Sequence, residues 1–200
     1  MDIKLYYTPK TRALRVRWLL EELGLDYRLE YIDILSKTGN PEYKKIHPLG
    51  SVPAIEIDGK TMFETGAICA WLTDQFPEKN MAPTRDSWQR ALYEQWMYFV
   101  PGTMEPPIFD YVLHSHILPE EMRIKDCAEW SIKRYHSVLK VLNTELEKRA
   151  YILGDSFTTA DLMISSVLFW KRDVLENYSA LKEYTAIIAK REAFRTAKKD

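Results

Sequence analysis

The sequence predicts an α/β domain followed by an all-α domain, and three observations predict this order. Short stretches of alternating apolar residues mark strands in the first third of the chain. The segment Phe76–Pro83 has the polar and proline-containing composition of a linker. The rest of the chain has apolar residues at helical spacing. In a chain of 200 residues we therefore expect domains at 1–78 and 86–200, joined by a linker over 79–85.

The first domain begins with a strand, a helix and a second strand. Apolar residues alternate in Ile3–Tyr7 and in Tyr27–Asp33, which predicts two strands. Between them, Arg12–Leu23 has one apolar stripe and is followed by Gly24, a typical residue after a helix C-terminus. The two strands of such a βαβ unit are expected to be parallel, with a right-handed connection.

A hairpin and a helix complete the first domain. Asp58-Gly59 is a two-residue turn signal between the predicted strands Ala54–Ile57 and Lys60–Phe63. The predicted helix Gly66–Phe76 follows. Residues 34–50 are predicted to be irregular, with one helical turn near Pro41–Ile46.

The second domain is predicted to open with three helices. Asp86 is the expected N-cap of the first, which runs to about Phe99. Pro101-Gly102 and Pro106-Pro107 are expected to interrupt the pattern before a helix that ends near His116, and Pro119 to start a long third helix. The buried seam of this third helix is predicted to contain Ile132, Tyr135, Leu139, Leu142 and Leu146.

A capping box is predicted at the start of the next helix. Thr158 can cap it, and Asp161, three residues later, can accept from the Thr158 N–H. Phe157 precedes the cap, where a staple residue is expected. Two further helices are expected, one near Leu175–Lys190 and one at the C-terminus.

Composition narrows the class of partner. The net charge of −1 does not suggest a nucleic-acid partner, and no apolar run approaches the roughly 20 residues of a membrane span. The start of the chain has no signal-peptide pattern. The two cysteines, Cys69 and Cys127, have no metal-like spacing, so we expect no metal site and no disulfide framework. These features favour a reducing compartment and predict a cytoplasmic location.

The segment around Val52-Pro53 is the strongest functional signal. Pro53 ends an irregular segment immediately before a predicted strand, and we expect the Val52–Pro53 bond to be cis. A turn there would let the Val52 backbone pair with an extended peptide beside the helix opened by Glu64-Thr65. The N-terminus of that helix favours a carboxylate. The alternative is an ordinary X-Pro turn, a helix cap at Thr65 and a solvated Glu64.

These residues are similar to the glutathione site of the cytosolic glutathione transferases. The resemblance covers the whole chain, including the Phe-Thr-Thr-Ala-Asp run at Phe157–Asp161. It implies a thioredoxin-like N-terminal domain, an all-helical C-terminal domain and a homodimer. It also implies that glutathione is the co-substrate.

The resemblance assigns roles to residues of the binding site. Val52, next to Pro53, would pair with the glutathione backbone, Glu64 would meet the ligand's amine, and Thr65 would meet the carboxylate of the γ-glutamyl group. Ser51 stands where many members have a basic residue. Because Ser51 cannot form an ion pair with the glycine carboxylate, Lys37 or His47 is a candidate for that role, although either could be a surface residue.

The thiol-activating residue is left open among three candidates in the turn after the first strand. A hydroxyl, a cation or a helix N-terminus lowers a thiol pKa. In the register of the resemblance, Thr11 stands where a Ser often occurs, and Arg12 stands where the bacterial beta class has its cysteine. Tyr7 is the third candidate. Their structural alternatives are an N-cap for Thr11 and a core strand position for Tyr6 and Tyr7.

The function implied is transfer of the glutathione thiolate to a small apolar electrophile, the chemistry of detoxification. The alternatives are glutathione-dependent peroxidase or disulfide reductase activity at the same site, and a non-catalytic glutathione-transferase-like binding module. A group of large apolar residues could line the electrophile pocket or form the helical core: Tyr93, Trp96, Met97, Phe99, Val100, Met104 and Phe109.

Overall fold

The computed structural model describes residues 1–35 and 40–199, which fall into two compact units. The first unit is Met1–Ala82 together with Ala189–Asp200, and the second is Pro83–Ile188. The C-terminal segment, which the sequence pattern placed with the helical domain, thus packs with the α/β unit. Each unit is described separately below.

The first unit contains a four-stranded mixed sheet in the order β2-β1-β3-β4. Its strands are β1 (Ile3–Tyr7), β2 (Arg28–Tyr31), β3 (Ala54–Ile57) and β4 (Lys60–Phe63). The predicted parallel pairing of β1 and β2 is confirmed, while β3 is antiparallel to both β1 and β4. Asp58 and Gly59 have φ of 48° and 78°, as expected for the tight turn that their sequence predicts.

The first unit also contains three helices. They are α1 (Ala13–Leu23), α2 (Thr65–Gln75) and α8 (Glu192–Ala197), and α1 packs against both of the others. Trp18 of α1 is fully buried, and its ring lies 4.6 Å from the ring of Phe194 in α8. Arg191 adds an ion pair to Glu22 at 2.6 Å. These contacts hold the C-terminal segment against α1.

The second unit is helical. Its helices are α3 (Trp88–Phe99), α4 (Glu105–Val112), α5 (Lys125–Leu146), α6 (Thr159–Leu168) and α7 (Ser179–Ile188). The predicted seam of α5 is buried at Tyr135, Leu139, Leu142 and Leu146, and half-buried at Ile132. The predicted capping box of α6 is present. Across the part of the chain that the structure describes, no helix combines the length and the apolar character that crossing a membrane requires.

Two of the predicted helix starts are wrong. Ser87, and not Asp86, caps α3, because its extended backbone lets Ser87 Oγ accept from Arg90 N at 3.1 Å. Pro119 starts only a short 3₁₀ turn over Glu120–Met122, and α5 begins at Lys125. The intervening Ile124 is extended, and its N–H donates to His114 Nδ1 at 3.2 Å instead of entering a helix.

The predicted interruption after α3 is present at Pro101-Gly102, where the α-helical pattern changes, but not at Pro106-Pro107. A π-helical turn over Val100–Met104 connects α3 directly to α4. The wider hydrogen-bonding of this turn, in which Glu105 N–H donates to the Val100 carbonyl, accommodates Pro101. Pro106 and Pro107 stand in the first turn of α4, where a missing N–H costs least.

Candidate functional site

The loop before β3 is held in shape by the core of the first unit. The Val52–Pro53 bond is cis, as the sequence predicted. The Val52 side chain is buried in a cluster with Tyr6, Tyr43 and Ala54. The Tyr43 hydroxyl donates to the Ser51 carbonyl oxygen at 2.6 Å. The packing of Val52 and this hydrogen bond together fix the backbone that leads into Val52.

The helix α2 begins beside this loop. Glu64 is its N-cap residue and has φ of 73°, a conformation that is costly for a side chain with a Cβ. Its side chain makes no capping hydrogen bond, while its carbonyl oxygen accepts from Ile68 N at 2.9 Å. Thr65, the first residue of α2, is buried. The first N–H groups of any α-helix lack intrahelical acceptors, which gives this end a partial positive charge.

The loop, the start of α2 and the start of α1 enclose a cavity of about 220 Å³. We call it the cis-proline cavity, and its lining is Arg12, His47, Leu49, Ser51, Val52, Pro53, Glu64 and Thr65. Seven of the predicted site residues are thus brought together by segments up to 53 positions apart in the chain, from Arg12 to Thr65. The prediction for Lys37 lies outside the described residues.

His47 presents a defined tautomer to this cavity. Its side chain is buried, and its ring lies 4.9 Å from the ring of Phe63. The Leu49 N–H donates to His47 Nδ1 at 3.3 Å, so a neutral imidazole carries its proton on Nε2. Burial lowers the pKa of His47 from its ordinary value, against an opposing effect of the Glu64 charge. His47 is therefore favoured as a neutral hydrogen-bond donor at Nε2.

The three candidates for thiol activation do not share one cavity. Arg12 is the N-cap residue of α1 and lines the cis-proline cavity. The Thr11 hydroxyl donates to the Thr8 carbonyl oxygen at 2.6 Å and lies 3.3 Å from Ala13 N, so it acts within the turn. Tyr7 is half-buried and lines a second cavity with Thr8. The neighbouring Tyr6 is buried, and its hydroxyl donates to Glu56 Oε2 at 2.6 Å.

Tyr43 and Leu49 are the parts of this site that the sequence did not predict. Leu49 contributes to the lining and is largely exposed. Tyr43 lies in the short 3₁₀ helix Tyr43–Lys45, close to the predicted helical turn, and burial raises the pKa of its hydroxyl. A lone aromatic residue between Glu42 and Lys44 was a signal for burial, but its hydrogen bond to Ser51 could be seen only in three dimensions.

Most of the large apolar residues considered for an electrophile pocket form the core of the second unit. Tyr93, Trp96, Met97, Val100 and Met104 are buried, whereas Phe99 and Phe109 are half-buried. Cys69 is fully buried in α2, and burial raises the pKa of its thiol to about 12. A thiol with that pKa is protonated at neutral pH, so Cys69 is a core residue and not a nucleophile.

Two sequence models of known protein domains match this chain, and the first includes the residues that line the cis-proline cavity. The sequence model of the glutathione S-transferase N-terminal domain matches residues 11–75, and that of the C-terminal domain matches residues 104–194. The chain belongs to the glutathione S-transferase family. The N-terminal match contains the whole lining of the cis-proline cavity.

Curated relatives of this chain are named for more than one reaction. The chain is 26% identical over 212 residues to glutathione S-transferase 3 of Schizosaccharomyces pombe, a match that covers 98% of this chain and 86% of the relative. It is 28% identical over 207 residues to a disulfide-bond oxidoreductase of Escherichia coli strain K12, covering 96% of this chain and 92% of the relative. This transferase and this oxidoreductase are thus about equally similar to the chain.

Solved structures confirm the fold class, a thioredoxin-like domain with a mixed four-stranded sheet followed by a helical domain. A ternary complex of the bacterial glutathione transferase BphK has a TM-score of 0.87 at 28% identity, covering 98% of this chain and 97% of that one. A sphingomonad glutathione S-transferase complexed with glutathione has a TM-score of 0.85 at 25% identity, covering 98% and 96%.

Proposed function

We propose that this family member binds glutathione in the cis-proline cavity and transfers its thiolate to a small electrophile. The observation that carries the proposal is the convergence of Val52, Pro53, Glu64 and Thr65 on one cavity. A peptide can pair with the Val52 backbone, while an anionic group is favoured at the N-terminus of α2. The glutathione complexes among the structural relatives support the same ligand.

Each end of glutathione has a partner in this proposal. Glu64 binds the amine of the γ-glutamyl group, and Thr65 binds its carboxylate. The glycine carboxylate receives a hydrogen bond from His47 Nε2, because Nδ1 accepts from the Leu49 N–H and the ring proton of the neutral imidazole is therefore on Nε2. Lys37 remains a second candidate for this carboxylate. In its buried, neutral state His47 can donate this hydrogen bond from Nε2 without a second proton on Nδ1.

The thiol is proposed to lie beside the turn Thr8–Arg12. A free thiol with a pKa near 8.5 is only slightly ionised at neutral pH, so the transferase must stabilise the thiolate. Arg12 is the favoured source of this stabilisation, because it lines the cavity and adds positive charge there. The Thr11 hydroxyl is directed to the Thr8 carbonyl, which leaves the Thr11 backbone N–H as its contribution.

Retention on immobilised glutathione tests the binding step, and turnover of a chromogenic aryl halide tests the transfer step. We expect retention, elution by free glutathione and measurable conjugation. A chain that is not retained would contradict the proposed site. Retention without conjugation, and without a lowered thiol pKa in the complex, would instead favour the non-catalytic binding module.

Disulfide reduction is the second candidate reaction. It is favoured by the 28% identical Escherichia coli relative, whose name states disulfide-bond oxidoreductase activity. It would use the same thiolate stabilisation at Arg12. Reduction of a low-molecular-weight disulfide by glutathione, measured beside conjugation of the aryl halide, separates the two reactions, and the peroxidase alternative is tested with a hydroperoxide in the same way.

We further propose that the enzyme is a cytoplasmic homodimer. Along the sequence its proposed domains are residues 1–78 and 86–200, although the segment Ala189–Asp200 of the second belongs to the first compact unit. Trp88 and Tyr98 of α3 are largely exposed apolar side chains, which fits the predicted contact of α3 and the end of α2 with a second copy. The proposed partners are glutathione and an electrophile, without nucleic acid or membrane. A monomeric mass in solution at micromolar concentration would contradict the dimer.

A further inference from the structure

The first unit contains a second cavity, of about 150 Å³, lined by the turn after β1. Its lining is Tyr7, Thr8, Pro9, Lys10, Leu14, Arg17, Ala197 and Lys198. We call it the basic cavity. The turn itself links the two cavities, because Thr8, Pro9 and Lys10 line this one and Arg12 lines the cis-proline cavity.

The lining combines apolar walls with positive charge. Pro9, Leu14 and the buried Ala197 supply the apolar walls, and the half-buried Tyr7 adds an aromatic side chain. The three charged lining residues are Lys10, Arg17 and Lys198, and all three are cations. Among the described residues, no carboxylate belongs to this lining.

The cations are held by different contacts. Arg17 donates to the Lys199 carbonyl at 2.6 Å and to the Tyr27 hydroxyl at 3.3 Å, and its guanidinium lies 5.9 Å from the centre of the Tyr7 ring. Lys198 Nζ lies 5.4 Å from the centre of the Phe194 ring. Lys10 is exposed in the turn, with φ of 60°. The guanidinium is thus fixed, whereas the two exposed lysines form a rim.

The size and charge of the basic cavity define a ligand class. A cavity of about 150 Å³ can hold one benzene-sized ring. Apolar walls suit such a ring, and the three cations suit an anionic substituent on it. We propose that the basic cavity binds a small, single-ring organic acid through its carboxylate.

This inference deepens the proposed function, and its link to catalysis rests on that function. Residues of the turn Thr8–Arg12, beside which we place the glutathione sulfur, line both cavities. An electrophile whose carboxylate is held in the basic cavity and whose reactive carbon reaches the sulfur would be a carboxylate-bearing aromatic compound, and not the wholly apolar compound that the family resemblance implies.

Titration of the ¹⁵N-labelled chain with benzoate, and with the uncharged benzamide as its matched control, tests the inference. We expect saturable shifts of the Thr8, Lys10 and Ala197 amide signals with benzoate, and at least about tenfold weaker binding of benzamide, because only the carboxylate meets the cations. The double variant Lys10→Gln/Lys198→Gln should bind benzoate about tenfold more weakly. Lys60→Gln, an exposed lysine on β4, removes one charge elsewhere and should change the affinity less than about twofold.

Three results would overturn the basic cavity as an acid site. They are the absence of saturable shifts at these amides, equal affinity for benzamide and benzoate, and unchanged benzoate affinity in the double variant. Retention on immobilised glutathione is measured separately on the native chain. A chain that binds benzoate here but is not retained would contradict the proposed function while the acid site stands.

Discussion

The N-termini of α2 and α6 differ in what satisfies their first backbone N–H groups, which lack acceptors within the helix. At α6, the Asp161 carboxylate accepts from Ile152 N at 2.7 Å, from the Thr158 N–H and hydroxyl at 2.9 Å, and from the Tyr184 hydroxyl at 2.9 Å. At α2, the N-cap residue Glu64 makes no side-chain capping hydrogen bond. The start of α6 is fully buried, whereas the start of α2 lines a cavity.

In our proposal, this difference separates a structural helix start from a ligand-binding one. At α6 the protein's own side chains satisfy the donors and join the loop at Ile152 to α7 through Tyr184. At α2 the left-handed conformation of Glu64 turns the chain without using a capping side chain. In our proposal, a ligand carboxylate takes the place that the Asp161 carboxylate has at α6.

The largest expected effect is on stability, at α6. Asp161→Ala removes the acceptor of four buried hydrogen bonds and should lower the free energy of unfolding by about 3 kcal/mol or more. Urea unfolding followed by circular dichroism measures it. Asp173→Ala, which removes an exposed carboxylate paired with Lys171, is the matched control and should change stability far less, because solvent screens that pair. Equal effects of the two variants would refute the structural role of the capping network.

The next effect is on ligand binding, at α2. Thr65→Ala should weaken glutathione binding by about 1.5–3 kcal/mol, because it removes a hydrogen bond to a carboxylate. Calorimetric titration with glutathione measures the change, and urea unfolding should show little loss of stability because the Thr65 side chain does not cap α2. Thr61→Ala on the exposed part of β4 is the control. Unchanged affinity in Thr65→Ala would mean that the carboxylate lies elsewhere.

A smaller effect is expected on the thiol at the start of α1. Arg12→Ala should raise the pKa of the bound glutathione thiol by about one unit, because it removes positive charge from the cavity. One unit is worth about 1.4 kcal/mol between the two protonation states of the thiol. Thr11→Ala should change this pKa less, since the Thr11 hydroxyl donates to the Thr8 carbonyl. The thiolate absorbance of bound glutathione, measured as a function of pH in the native chain and in both variants, distinguishes the two contributions. A native complex that titrates like free glutathione would contradict the transferase mechanism altogether.

The smallest effect concerns His47 and pH. Burial lowers its folded-state pKa below the ordinary value of 6.5, so the unfolded chain binds this proton more tightly. The resulting stability is present above pH 6.5 and is lost as the pH falls through the lower folded-state pKa. His47→Asn keeps an acceptor for the Leu49 N–H. Between neutral and acidic pH, its free energy of unfolding should fall less than that of the native chain. Identical pH profiles for the two proteins would show that His47 is not buried in its neutral form.

Local chemistry accounts for the features that the sequence predicted well. The hairpin at Asp58-Gly59, the cis bond before Pro53 and the capping box at Thr158–Asp161 each depend on residues within a few positions of one another. The parallel pairing of β1 and β2 followed from the general rule for βαβ units. The predicted cap at Asp86 failed by one residue, because Asp86 and Ser87 are both good caps and only the backbone conformation selects Ser87.

The sequence by itself determined the family and most residues of the candidate glutathione site, because the residues that signal it form short motifs. Only the tertiary structure assigned Arg12 to the lining of the cis-proline cavity and Tyr7 to that of the basic cavity. It also revealed the hydrogen bond from Tyr43 to Ser51 and the contribution of Lys198 to the basic cavity. Lys198 and Lys10 are brought together by the packing of α8 on α1, a contact between distant segments that no local pattern encodes.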